Sequence, residues 1–150
     1  MPIIIREADS EDDARIVLFN QAMARETEGR ELDRKVLTKG VERLLNDPAR
    51  GRYFVAVKGD EVVGQVMITT EWSDWRNGLV WWLQSVYVSK RHRREGVYRM
   101  LHDHVRETAL SEKVLGIRLY VERDNLSAQE TYRAMGMLAS QYLMYEEMWV

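Results

Sequence analysis

The sequence predicts a mixed α/β fold in which helices flank a central, mostly antiparallel sheet. Three observations carry this expectation. Short aromatic and β-branched runs, separated by turn residues, fill the middle of the chain. After Val88 the apolar period switches to the helical one of about 3.6 residues. A hairpin-rich first half followed by a β-α-β second half then implies a mixed sheet. The 150 residues suit one ordinary domain spanning 1–150.

Each element has its own signal. Ile3–Arg6 reads as a short opening strand. Ser10 followed by Asp13 suggests a capping box, and Ala14, Val17, Leu18 and Gln21 follow at helical spacing. The polar stretch Arg25–Glu31 breaks that pattern and reads as a linker. Asp33 is placed to cap a second helix with the stripe Leu37, Val41, Leu44 and Leu45, which Asp47-Pro48 ends. Tyr53–Val57 and Val62–Thr70 form a hairpin about the turn Lys58–Glu61. Glu71–Gly78 is a polar, tryptophan-bearing connection. Leu79–Val88 is apolar on both faces, as a central strand would be. Val97, Met100, Leu101, His104 and Val105 share one helical face. Val114–Val121 is a further strand. Leu126–Met135 is a shorter helix with Ala128, Thr131, Tyr132 and Met135 inward and Gly136 past its end. Tyr142–Trp149 closes the chain as a strand.

Composition excludes several function classes. Apolar residues make up 45% and charged residues 31%, the balance of a globular protein. No apolar run approaches the ~20 residues of a membrane span. The opening Met1–Glu7 is too short and too charged for a signal peptide, so no membrane partner and a cytoplasmic location are expected. There is no cysteine, which excludes disulfides, thiolate metal sites and a cysteine nucleophile. His92, His102 and His104 lack metal-ligand spacing, so no metal is expected. A net charge of -2 argues against a nucleic-acid partner. Residues 90–94, K-R-H-R-R, nevertheless form a basic spot on a body whose residues 7–13 and 26–33 are rich in acid.

The strand-to-helix turn at residues 93–99, R-R-E-G-V-Y-R, has the makings of an anion site. The first amides of a helix lack internal partners, and the helix dipole makes that end positive. Gly96 allows close approach to the backbone. Arg93, Arg94 and Arg99 add charge suited to a pyrophosphate. The same residues would also serve as a solvated loop with Gly96 as a simple turn residue.

Two linked motifs resemble the GNAT superfamily of N-acetyltransferases. Arg93, Gly96 and Tyr98 occupy the marked positions of the family loop Q/R-x-x-G-x-G/A, with tyrosine where a small residue is usual. Asn125, Ala128, Tyr132 and Gly136-Met137 match N-x-x-A-x-x-x-Y-x-x-x-G-F. The resemblance implies a mixed, mostly antiparallel sheet of six or seven strands with about four helices. It also implies acetyl-CoA as acyl donor and an amine as acceptor. Ser85–Val88 would be the strand whose backbone, at Val86, Tyr87 and Val88, pairs with the pantetheine arm. The amides of Glu95, Gly96, Val97, Tyr98 and Arg99 would hold the pyrophosphate, assisted by Arg93 and Arg94, with the Tyr98 ring turned aside. Asn125 and Ala128 would meet the pantetheine arm, and Tyr132 would lie near the thioester sulfur as general acid. Asn125 also suits a helix cap, and Tyr132 a core position. Only about fourteen residues follow Gly136, so a strand is expected to be absent or supplied by a partner subunit in a homodimer.

Acetyl transfer to an amine also needs a base. Glu26 and Glu28, in the link between the first two helices, are candidates, as are Glu71 and Asp74 near the hairpin. Gln84 could orient a water. Trp72, Trp75, Trp81 and Trp82 could attract a cationic acceptor, although Trp81 and Trp82 also suit the two faces of a sheet. A non-catalytic acyl-CoA sensor on the same fold is the alternative reading.

Overall fold

The computed structural model describes residues 1–150, which form two compact units, Met1–Leu119 and Tyr120–Val150. The first unit holds a five-stranded sheet in the order β1 (Ile3–Glu7), β2 (Arg52–Lys58), β3 (Glu61–Ser73), β4 (Gly78–Val88) and β5 (Gly116–Arg118). The first four strands pair antiparallel and β4 pairs parallel with β5. Short turns join β2 to β3 and β3 to β4, whereas β1 reaches its antiparallel partner β2 only through the helical segment between them. The parallel pair needs a crossover, which helix α3 (Val97–Ser111) supplies. The architecture is therefore the mixed one that the sequence implies.

The strand count is five, not six or seven. The expected Val114–Val121 strand is reduced to Gly116–Arg118, and Tyr142–Trp149 forms no strand. Composition gives a segment its strand propensity, but a strand exists only against a neighbour that takes its hydrogen bonds.

Two helices cover one face of the sheet. Helix α1 spans Asp13–Glu28 and α2 spans Arg34–Leu45. The capping box before α1 sits one residue earlier than expected. Asp9 accepts from the Glu11 amide, and Asp12 closes back on the Asp9 amide at 2.8 Å. Arg6 grips Asp12 through two bonds of 2.8 and 3.0 Å. Helix α1 also runs through Arg25–Glu28, so Glu26 and Glu28 lie on its last turn, not in a linker. It stops at Gly29, whose left-handed φ of 61° returns the chain onto the last carbonyls. Polar residues do not end a helix when their propensity is good; the glycine does. Asp33 caps α2 as expected, accepting from the amides of Lys35 and Val36.

The core has two layers. Phe54, Ile68, Trp81 and Leu83 pack with Val97, Leu101 and Val105 of α3 on one face. Tyr53 packs with Ile16, Val17 and Val41 of α1 and α2 on the other. Gly64 lets the start of α3 come close to the sheet, since a Cβ there would lie 2.9 Å from Val97 Cγ1.

In the second unit, helix α4 spans Leu126–Ala134. Thr131, expected inward, is exposed, while Met135 is buried. Residues 138–150 carry no regular structure and are exposed throughout.

Candidate active site

Strand β4 organises the site. It pairs with β3 along its length but with β5 only at Val80, Trp81 and Trp82. From Leu83 to Val88 its second edge has no strand, and free amides and carbonyls on such an edge can receive an extended ligand. Between Gln65 and Met67 the register shifts, so that Ser85 and Val86 together oppose Val66. This is a β-bulge, with Ser85 at a left-handed φ of 50°.

The open edge leads directly into the turn at 93–99. Arg94 and Gly96 are both left-handed, at φ 67° and 78°. Gly96 is the N-cap of α3, and no side chain caps the helix. The first amides of α3 therefore face outward with the dipole behind them. A Cβ at Gly96 would meet nothing within 4 Å, so backbone conformation is what favours glycine there, and the approach is open. Arg94 and Arg99 are exposed and form no ion pair. Glu95 turns its carboxylate to Lys58 at 3.0 Å, which removes an unfavourable charge from the turn.

Arg93 braces this turn. Its Nε donates to the Val88 carbonyl at 2.9 Å and its Nη2 donates to Glu26 at 2.8 Å. Its guanidinium lies 5.3 Å over the Tyr87 ring, and the Tyr87 hydroxyl donates to the second Glu26 oxygen at 2.5 Å. Burial alone would raise the Glu26 carboxyl, but the bonds from Tyr87 and Arg93 outweigh it and hold it below the usual carboxylate range. Burial, with the hydrogen bond and negative charge of Glu26, pushes the Tyr87 phenol up to about 12. The Tyr98 ring runs down the helix, its hydroxyl 2.8 Å from His102 Nδ1. His102 is buried, which with the nearby Arg106 holds it below the usual imidazole range.

The structure thus gathers Val86, Tyr87, Val88, Arg93, Arg94, Glu95, Gly96, Val97, Tyr98, Arg99 and Glu26 along one strip. Glu71 lies elsewhere. It pairs with Val80, five residues from Ser85, which is roughly 17 Å along the strand. It accepts from Trp82 Nε1 at 2.7 Å and from Arg118 at 3.1 Å, and these bonds, Trp82 first, hold its carboxyl low. Glu28 ends α1, is exposed and forms no hydrogen bond or ion pair. Asp74 accepts from the Trp75 amide, and Gln84 donates to Thr69. Of the four tryptophans within residues 72–82, Trp81 is core, Trp82 is half-buried against Glu71, and Trp72 and Trp75 are exposed. In the second unit the Asn125 side chain accepts from the Ala128 amide at 3.1 Å and so does cap α4. Burial raises the Tyr132 phenol.

Sequence reasoning passed over a buried polar chain under the bulge. Gln65 donates to Asn20 at 2.9 Å and to the Ser85 carbonyl at 3.0 Å, and Asn20 donates to the Tyr53 hydroxyl at 3.0 Å. The available signal was Gln65 itself, one polar residue inside the run V-V-G-Q-V-M-I.

The family model of the acetyltransferase (GNAT) family matches residues 16–137. The chain belongs to this family. It has the GNAT fold, and GNAT acetyltransferases use acetyl-CoA as donor. A possible acetyltransferase from Clostridium difficile 630 is 46% identical, with a TM-score of 0.93 over 100% of this chain and 99% of that one. A predicted acetyltransferase with acetyl-CoA from Clostridium acetobutylicum shares the fold, with a TM-score of 0.80 over 97% of this chain and 96% of that one, at 16% identity. Streptothricin acetyltransferase of Escherichia coli is 32% identical over 76 residues. That match spans 51% of this chain and 41% of the relative, less than half of its length.

Proposed function

We propose that this GNAT acetyltransferase moves the acetyl group of acetyl-CoA to a primary amine of a small molecule or peptide, by direct attack of the amine on the thioester. The observation that carries the reading is one continuous strip of backbone, the open edge of β4 at Leu83–Val88 running into the uncapped start of α3. When bound, acetyl-CoA supplies an activated acyl group whose leaving thiolate has a pKa near ~8.5.

The chain's own residues have separate tasks. The backbone of Val86, Tyr87 and Val88 receives the pantetheine arm, and the amides of Glu95–Arg99 receive the pyrophosphate, with the charges of Arg94 and Arg99 beside them. Arg93 acts by bracing the turn rather than by reaching into it. The Val86 amide, at the bulge, takes the negative charge that develops on the carbonyl oxygen. Asn125 and Ala128 meet the pantetheine arm, and Tyr132 donates a proton to the departing sulfur, roles supported by the motif they match. A phenol titrates near ~10 and so is protonated at neutral pH, as a donor requires, and burial raises it further. The acceptor must lose a proton, because a free alkyl amine titrates near ~10.4. Glu26 and Glu71 are held low by their donors and make weak bases. Glu28 is the candidate without a donor, and we assign it the base role, directly or through a water.

The exposed apolar residues of the tail, Leu143, Tyr145 and Trp149 among them, support a homodimer in which 138–150 of one copy adds a strand to the other. Exposed apolar surface of this kind favours association.

An acetyl-CoA consumption screen tests the reading. The panel holds polyamines, amino acids, peptide N-termini and streptothricin, the last because of the relative matched above. Turnover on an amine, with Glu28→Gln slowing it about 100-fold, is expected. Binding of CoA with no turnover on any amine would leave only a sensor.

A further inference from the structure

We infer that Gln65 is a positioning residue that aims the Val86 amide, through a buried chain of hydrogen bonds reaching back to Tyr53. The inference rests on the proposed reading above and deepens it. Ser85 adopts φ 50°, a conformation that a β-carbon disfavours, and something must hold it there. Gln65 does so. Its side chain is fully buried on β3, and its Nε2 donates to the Ser85 carbonyl at 3.0 Å. The same nitrogen donates to Asn20 Oδ1 at 2.9 Å, and Asn20 Nδ2 donates to the Tyr53 hydroxyl at 3.0 Å. Asn20 and Tyr53 are themselves buried, which shields the Gln65–Asn20 and Asn20–Tyr53 bonds from water. Both protons of the Gln65 amide group are thereby committed.

The consequence follows from peptide geometry. The Ser85–Val86 peptide is trans, so its C=O and N–H point in opposite directions. Fixing the Ser85 oxygen on Gln65 directs the Val86 N–H away from β3. On that side β4 has no strand partner past Trp82. The amide that would meet the thioester carbonyl is thus preorganised from inside the protein, by residues that never touch the ligand. Helix α1 contributes through Asn20, which couples the position of that helix to the orientation of the amide.

The test compares two ligands that differ only at the acyl carbonyl: acetyl-CoA and S-ethyl-CoA, titrated calorimetrically without acceptor. One hydrogen bond to the carbonyl should make wild type bind acetyl-CoA about fivefold more tightly, and beyond the shift that both ligands cause, the Val86 amide resonance should show an added downfield shift with acetyl-CoA only. Gln65→Met should keep wild-type affinity for S-ethyl-CoA while losing both the preference and the added shift. If that variant does not fold, Gln65→Asn, one methylene short of the Ser85 carbonyl, should show the same split. A variant that retains the preference, or that weakens both ligands equally, would overturn the inference. So would a wild type that binds both ligands equally, with the acetyl-CoA reading left standing. A wild type that binds neither would overturn that reading and this inference together.

Discussion

Replacing Tyr87 by phenylalanine isolates the brace that holds the turn. The ring survives, with its 5.2 Å contact to Phe19 and its stacking under Arg93. Only the hydroxyl bond to Glu26 is lost. Hydrogen bonds to charged groups contribute about 1.5–3 kcal/mol, which bounds from above what Y87F should lose at pH 7. The pH dependence makes the cause identifiable. The folded Tyr87 phenol is raised from 10.0 to about 12. Its contribution is therefore fully present below pH ~10 and lost as pH rises through ~12. Two units correspond to about 2.7 kcal/mol, which partial solvent contact reduces to roughly 1–2 kcal/mol. Glu26 behaves oppositely: its lowered carboxyl stabilises the fold above the ordinary carboxylate range and ceases to as pH falls through its folded value. Urea unfolding, followed by tryptophan fluorescence from pH 4 to pH 11.5, reads both limbs. The stability difference between wild type and Y87F should be largest near neutrality and narrow above pH ~10. A difference that stays constant from neutral to alkaline pH would refute the brace.

Three further outcomes are expected. Gly64→Ala forces a Cβ to within 2.9 Å of Val97 Cγ1 and 3.3 Å of the Tyr87 carbonyl; thermal melting should show a loss of about 1–3 kcal/mol, with weaker CoA binding as the start of α3 moves, and unchanged melting would exclude the close contact. Tyr132→Phe should lower kcat about 100-fold with little change in the KM for acetyl-CoA, and a kcat within about twofold of wild type would remove the tyrosine from the proton-transfer step. Deleting residues 138–150 should convert a dimer to a monomer in light scattering, and an unaltered mass would show that the tail does not join two copies.

The elements whose cause is local were readable from sequence. Asp33 capped a helix because an aspartate before an amphipathic stripe has one good use. The long run Leu79–Val88, apolar on both faces but for Gln84 and Ser85, lies between two strands at Val80–Trp82, as its composition suggests. The uncapped helix after Gly96 was visible for the same reason, since a glycine and a basic link announce free amides without any distant partner. Other features needed the folded chain. Arg93 reads as one more charge in a basic loop, and only the arrival of Glu26 from α1 makes it a brace. The lost final strand is a matter of partners: Tyr142–Trp149 has strand composition, but ladder bonds come from a neighbour. The β4 bulge and the buried amide of Gln65 lie furthest from the sequence, because a bulge is a mismatch of register between two strands and no single strand encodes it. Local propensity and period set where most strands and helices of this acetyltransferase lie, whereas the β4 bulge and the partners of Glu26 were decided by groups tens of residues away.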